Sequence, residues 1–74
     1  MKQVIAERLK KLRESYNLSQ REVAEKLFIT QAAYSLIEKG RNSLGMEHVV
    51  RLSNLYNTTP DYIILGDTIT PPEE

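Results

Sequence analysis

The sequence contains no cysteine, which excludes a disulfide framework and any metal site built on thiolates. Its single histidine, His48, could anchor a metal only if several carboxylates converged on it. No glycine-rich phosphate loop is present. No apolar run approaches the roughly 20 residues needed to cross a bilayer, and the amino terminus lacks the apolar stretch of a signal peptide. β signals are equally scarce, with no sustained period-two alternation and no Asn-Gly or Asp-Gly hairpin turn. The expectation is a soluble, cytoplasmic, all-α chain with no cofactor and no metal. Its 74 residues suit one domain near the lower size limit for a self-sufficient core.

Formal net charge is zero, but the charges are unevenly placed. Residues 1–41 hold nine Lys/Arg against five Glu, about +4. Residues 42–74 hold only Arg51 against Glu47, Asp61, Asp67, Glu73 and Glu74, about −4. A neutral total therefore hides a basic front and an acidic rear. A polyanionic partner remains open to the front half.

Helical signals recur along the chain. Ile5, Leu9, Leu12 and Tyr16 follow a four, three, four spacing, which predicts a helix over roughly 2–16, ended by Asn17. "SQRE" at 19–22 is a capping box, with Ser19 as cap and Glu22 reaching back, and Val23, Ala24 and Leu27 facing inward behind it. Phe28 and Ile29 make an apolar turn, and Thr30 caps the next helix, which Gly40 ends in a left-handed turn. Glu47 to Tyr56 presents Val49, Leu52, Leu55 and Tyr56 inward. "TPDYIILG" supplies Thr59 as cap, Pro60 at the first helical position, Asp61 in the first turn and Gly66 as stop. The expected core is Ile5, Leu9, Leu12, Val23, Ala24, Leu27, Ile37, Val49, Leu52 and Leu55, with Tyr34 and Tyr62 packing and His48 on the surface. Domain 1–66 is followed by residues 67–74, which read as a loose acidic tail with two prolines and no periodicity.

The helix beginning at Thr30 has an unusual outer stripe. Ala33, Tyr34 and Ile37 share one side, while Gln31, Ala32, Ser35, Leu36 and Lys39 share the other. A merely solvated helix would carry Glu and Lys there. Helix, short turn, helix is the layout that sets a second helix into the DNA major groove, and Ala24 falls where only a small side chain lets the two helices approach. The primary amide of Gln31 matches the N7 acceptor and N6 donor of adenine, whereas its plain alternative is a solvated glutamine. Ala32 and Leu36 suit thymine methyls, or else partial burial at the helix rim, and Ser35 is short enough to let the helix come close. Gln20 at the start of the first motif helix, Thr30 at the cap, and Lys39, Arg41 and Asn42 beyond the second helix suit backbone phosphates; otherwise they are ordinary surface residues. Lys10, Lys11 and Arg21 are weaker candidates.

The stretches "RLKKLRESYNLSQREVAEKL", "ITQAAYSLIEKGRNS" and "HVVRLSNLYNTTPDYII" resemble the lambda-repressor-like helix-turn-helix domains of phage repressors and bacterial transcriptional regulators. The match runs from Ile5 to Leu65, and its combination of SQxExA, YSxIEKGR and TPDYII is far more specific than any one piece. Phe28 stands where the family often has a turn glycine, and Leu36 where many members place Lys, Arg or Gln. The resemblance implies a compact five-helix domain in which Arg13 and Glu38 pair across the first and third helices. It also implies phosphate contact by Gln20.

The expected function is sequence-specific binding of double-stranded DNA by a small transcriptional regulator, a repressor acting as a homodimer on a pseudo-palindromic operator. An alternative is an antitoxin-type interaction module holding a partner protein as well as its own operator, which the acidic rear half favours. A hydrolase using Ser19, His48 and Asp61 is remote, because Ser19 already serves as a cap and nothing suggests an oxyanion hole. No enzyme and no membrane partner are expected.

Overall fold

Five helices follow one another in the computed structural model, which describes residues 2–66: α1 (Lys2–Ser15), α2 (Gln20–Leu27), α3 (Gln31–Glu38), α4 (Met46–Leu55) and α5 (Pro60–Leu65). No strand occurs among the described residues. The acidic segment 67–74 lies outside them.

The caps are the expected ones. Ser19 Oγ accepts from the Glu22 amide at 3.0 Å while Glu22 Oε1 accepts from the Ser19 amide at 2.8 Å, closing the capping box. Thr30 and Thr59 accept from the amides of Ala33 and Tyr62 at 3.0 and 3.1 Å. Gly45 begins α4 without a side-chain cap.

Four helix ends close in one way. After α1, the Leu18 amide returns to the Arg13 carbonyl at 3.1 Å and that of Asn17 to Glu14 at 3.0 Å. Matching pairs follow α2 (Ile29 to Ala24, Phe28 to Glu25), α3 (Arg41 to Leu36, Gly40 to Ile37) and α4 (Thr58 to Ser53, Asn57 to Asn54). Each pair needs one left-handed residue, and these are Asn17, Phe28, Gly40 and Asn57, with φ of 57°, 61°, 76° and 54°. Asn and Gly accept that conformation readily, whereas Phe does so at a cost of about 1–2 kcal/mol. A side chain at Gly40 would also collide with the Gln3 side chain of α1.

The core is a single cluster of Leu9, Val23, Ala24, Leu27, Tyr34, Ile37, Val49, Leu52, Tyr56 and Ile63. Burying each large aliphatic member stabilises the fold by about 1.5–3 kcal/mol. The expected core differs at its edges. Ile5, Leu12 and Leu55 are half-buried flanks of the cluster, while Ala6 of α1, outside the expected core, is buried. Tyr16, read as the last residue of the inner face of α1, is 44 % exposed. Its ring tilts against Tyr56 at 5.1 Å and its hydroxyl donates to the Tyr56 carbonyl at 2.9 Å, so it clamps the end of α4 from outside.

His48 is a correction. Its side chain is only 19 % exposed, and Nδ1 is covered without a hydrogen-bond partner among the described residues. On the helical repeat His48 stands beside Leu52 and Leu55, at the margin of the inner face of α4, and its ring folds back toward Gly45.

Candidate nucleic-acid interface

Tyr34 and Ile37 hold α3 to the core from one side, so its opposite side must face outward. Gln31 and Ala32 are exposed there, Ser35 is half-exposed and Leu36 is 37 % exposed. The four sequence candidates on α3 therefore share one solvent-facing strip. Thr30, exposed at the cap, spends its hydroxyl oxygen on the Ala33 amide.

Lys39, Arg41 and Asn42 stand at the far end, all three exposed, in a turn folded tightly back on α3. The amides of Arg41 and Asn42 both reach the Leu36 carbonyl, at 2.9 and 3.3 Å. Cations here offset the negative pole of the helix, and the turn fixes where they stand. Eight residues of helix separate them from Thr30 by about 12 Å, so the exposed strip has polar groups at both ends.

One buried carboxylate sets the attitude of α3. Arg13 of α1 grips Glu38 with Nε on Oε2 at 2.7 Å and Nη2 on Oε1 at 3.2 Å, the pair that the family resemblance implies. Tyr34 donates its hydroxyl to Oε2 at 2.6 Å, and Gln20 donates its side-chain nitrogen to Oε1 at 3.0 Å. Burial alone would raise the Glu38 carboxyl. The hydrogen bonds from Arg13, Tyr34 and Gln20 overcome that and leave its pKa below the ordinary value. The bond to Glu38 holds the Arg13 guanidinium above its own ordinary value. Burial, then donation to Glu38, pushes the Tyr34 phenol up, and burial pushes Tyr56 up to about 12.

The parts that Tyr34 and Gln20 play here are not evident in the sequence reading. The four-residue spacing of Tyr34 and Glu38 is the available signal for the first; nothing local announces the second. Gln20, the candidate at the start of α2, is half-buried and tied to the end of α3, close in sequence to Lys39. Arg21 lies instead in an exposed pair with Glu25 at 3.7 Å, and Lys10 and Lys11 are exposed on α1.

Phe28 is the other departure. Its ring is 77 % exposed, and the Arg51 guanidinium of α4 lies over it at 4.7 Å from the centroid. Ser19, His48 and Asp61 lie in three separate places: the cap of α2, the body of α4 and the first turn of α5. The capping box occupies Ser19.

The helix-turn-helix family model matches residues 9–63. The chain is 32 % identical over 88 % of its length to an uncharacterized HTH-type transcriptional regulator, YqaE of Bacillus subtilis, of which it covers 56 %. It is 33 % identical over 95 % of its length to the HTH-type transcriptional regulator ImmR of the same organism, covering 55 % of that protein. The HTH-type transcriptional activator BcrR of Enterococcus faecalis is 32 % identical over 85 % of the chain, which covers 31 % of it. The chain thus spans just over half the length of the first two relatives and under a third of the other. No solved structure matches it. With α2 packed against α3, an outward strip on α3 and a family match over residues 9–63, the chain belongs to the lambda-repressor-like helix-turn-helix family.

Proposed function

We propose that the chain binds double-stranded DNA in a sequence-specific way and regulates transcription, with α3 in the major groove. The observation that carries this is the outer strip of α3, where Gln31, Ala32 and Leu36 stand exposed between a capped start and a cationic turn. A strip of amide, methyl and isobutyl groups gains little from water but fits base edges, since long charges there would be buried unpaired. Gln31 reads an adenine edge, Ala32 and Leu36 meet thymine methyls, and Ser35 allows close approach. Gln20, Thr30, Lys39, Arg41 and Asn42 hold phosphates, which sets register without specifying sequence.

A domain of this size reads only a few base pairs, so a two-fold dimer on a pseudo-palindrome supplies the rest of the specificity. Leu65, 40 % exposed and opposite the buried Ile63 on α5, forms the contact between copies together with the exposed Pro60 and the half-buried edge of Ile64. Occupying an operator blocks polymerase, so the chain acts as a repressor in the cytoplasm. The relatives' names, regulator and activator, support the regulatory part of this and not its sign. Selection from a random DNA pool with purified protein tests the whole proposal. A two-fold motif with an A·T-rich half-site is expected; recovery of no motif refutes sequence-specific binding.

A further inference from the structure

A groove of about 470 Å³ runs between α1 and α5, lined by Val4, Glu7, Arg8, Lys11, Leu12, Ser15 and Tyr62. No residue of α3 lines it. Its floor is apolar through Val4, Leu12 and Tyr62, and its two cations outnumber the single Glu7. Arg8 is braced from within, with Nη1 donating to the carbonyls of Ile63 and Ile64 at 2.7 and 3.3 Å. That brace holds the guanidinium at the end of α5, where Gly66 lies so close that a Cβ would come within 2.5 Å of Nη2.

We propose that this groove is the docking site for residues 67–74 of the same chain. Three observations select that occupant. Gly66, the last described residue, lies against the Arg8 guanidinium, and Asp67 is the next residue in sequence. The segment DTITPPEE carries three carboxylates and no cation, which complements Arg8 and Lys11. Eight residues extend about 26 Å, enough to span the roughly 16 Å along α1 from Val4 to Ser15. Ile69, the single branched aliphatic side chain in the segment, lies two residues beyond Asp67 and seats on Val4, Leu12 or Tyr62. The docked segment takes Arg8 and Lys11 out of the basic front half, leaving the cations around α3 as the ones that face a polyanion.

The test is nuclear Overhauser transfer in the full chain, between Ile69 methyls and the side chains of Val4, Leu12 and Tyr62, read again in Lys11→Glu. Lys11 is exposed and outside the core, so the variant keeps its fold. Cross-peaks within one molecule, absent or much weakened in the variant, are expected. No cross-peak, or one seen only between differently labelled copies in a mixed sample, overturns the proposal, as does a cross-peak that the variant leaves at full strength.

Discussion

Gln20 at the start of α2 donates its side-chain amide to Glu38 at the end of α3 over 3.0 Å. Arg13 of α1 and Tyr34 of α3 hold the same carboxylate, so three helices meet at one charge whose side chain is 3 % exposed. The groups that orient α3 are therefore physically joined to a candidate phosphate contact.

Removing that carboxylate leaves a buried guanidinium, a phenol and an amide without their acceptor. Glu38→Ala is expected to cost about 3–5 kcal/mol in urea unfolding. Glu38→Gln, which keeps an acceptor oxygen, should cost less. The pH dependence has a definite sign. The folded-state pKa of Glu38 lies below its ordinary value, so its stabilisation is present above about pH 4.3 and disappears as the pH falls through the folded value. Unfolding followed between about pH 6 and 3 should show the parent losing stability faster than Glu38→Gln. Parallel curves would show that the carboxylate does not titrate with folding.

Ala24 of α2 is 1 % exposed in the core cluster, where the sequence expects the close approach of α3. Ala24→Leu should overpack that approach and cost on the order of 1–3 kcal/mol. Melting at the parent temperature would mean that the two helices do not meet there.

Phe28 makes a separate case, because its left-handed backbone costs stability that its exposed ring recovers only in part through Arg51. Phe28→Gly should be neutral or stabilising by up to about 1 kcal/mol. Phe28→Ile, β-branched and poorly suited to φ of 61°, should destabilise by about 1 kcal/mol or more. The order Gly above Phe above Ile in thermal midpoint is the check.

Much of the fold is legible in the sequence because its signals are local. Ser19 with Glu22, Thr30, Thr59 with Pro60, and Gly66 each state a helix boundary within a few residues, and Leu9, Leu27 and Leu52 announce inner faces by period. The outward strip of α3 is legible for the same reason: once Tyr34 and Ile37 face inward, the 3.6-residue repeat decides where Gln31 and Leu36 point. What stays hidden depends on partners distant in sequence. Gln20 meets Glu38 only after α2 and α3 have packed, and Arg51 meets Phe28 across α2 and α4. His48 escapes the sequence reading because a residue at the margin of a helical face is covered or bare according to its neighbours, not its own period.

A dimer built on α5 has its own signature. Leu65→Asp, at a position 40 % exposed, should raise the dissociation constant at least tenfold, which corresponds to about 1.4 kcal/mol. Sedimentation over a concentration series, with and without operator DNA, measures it. A parent chain that stays monomeric even on DNA would remove the dimer from the proposal.

The central claim is that α3 reads bases while the turn after it holds phosphates, and paired binding isotherms of Gln31→Ala and Arg41→Ala test it most directly. On the selected site, Gln31→Ala should lose about 1–3 kcal/mol and relax preference at one base pair per half-site, with binding to unrelated DNA almost unchanged. Arg41→Ala should weaken all sequences alike and flatten the log–log salt dependence by about one unit for each phosphate no longer neutralised. If Gln31→Ala keeps the parent's base preference while Arg41→Ala alters it, α3 is not the reading helix.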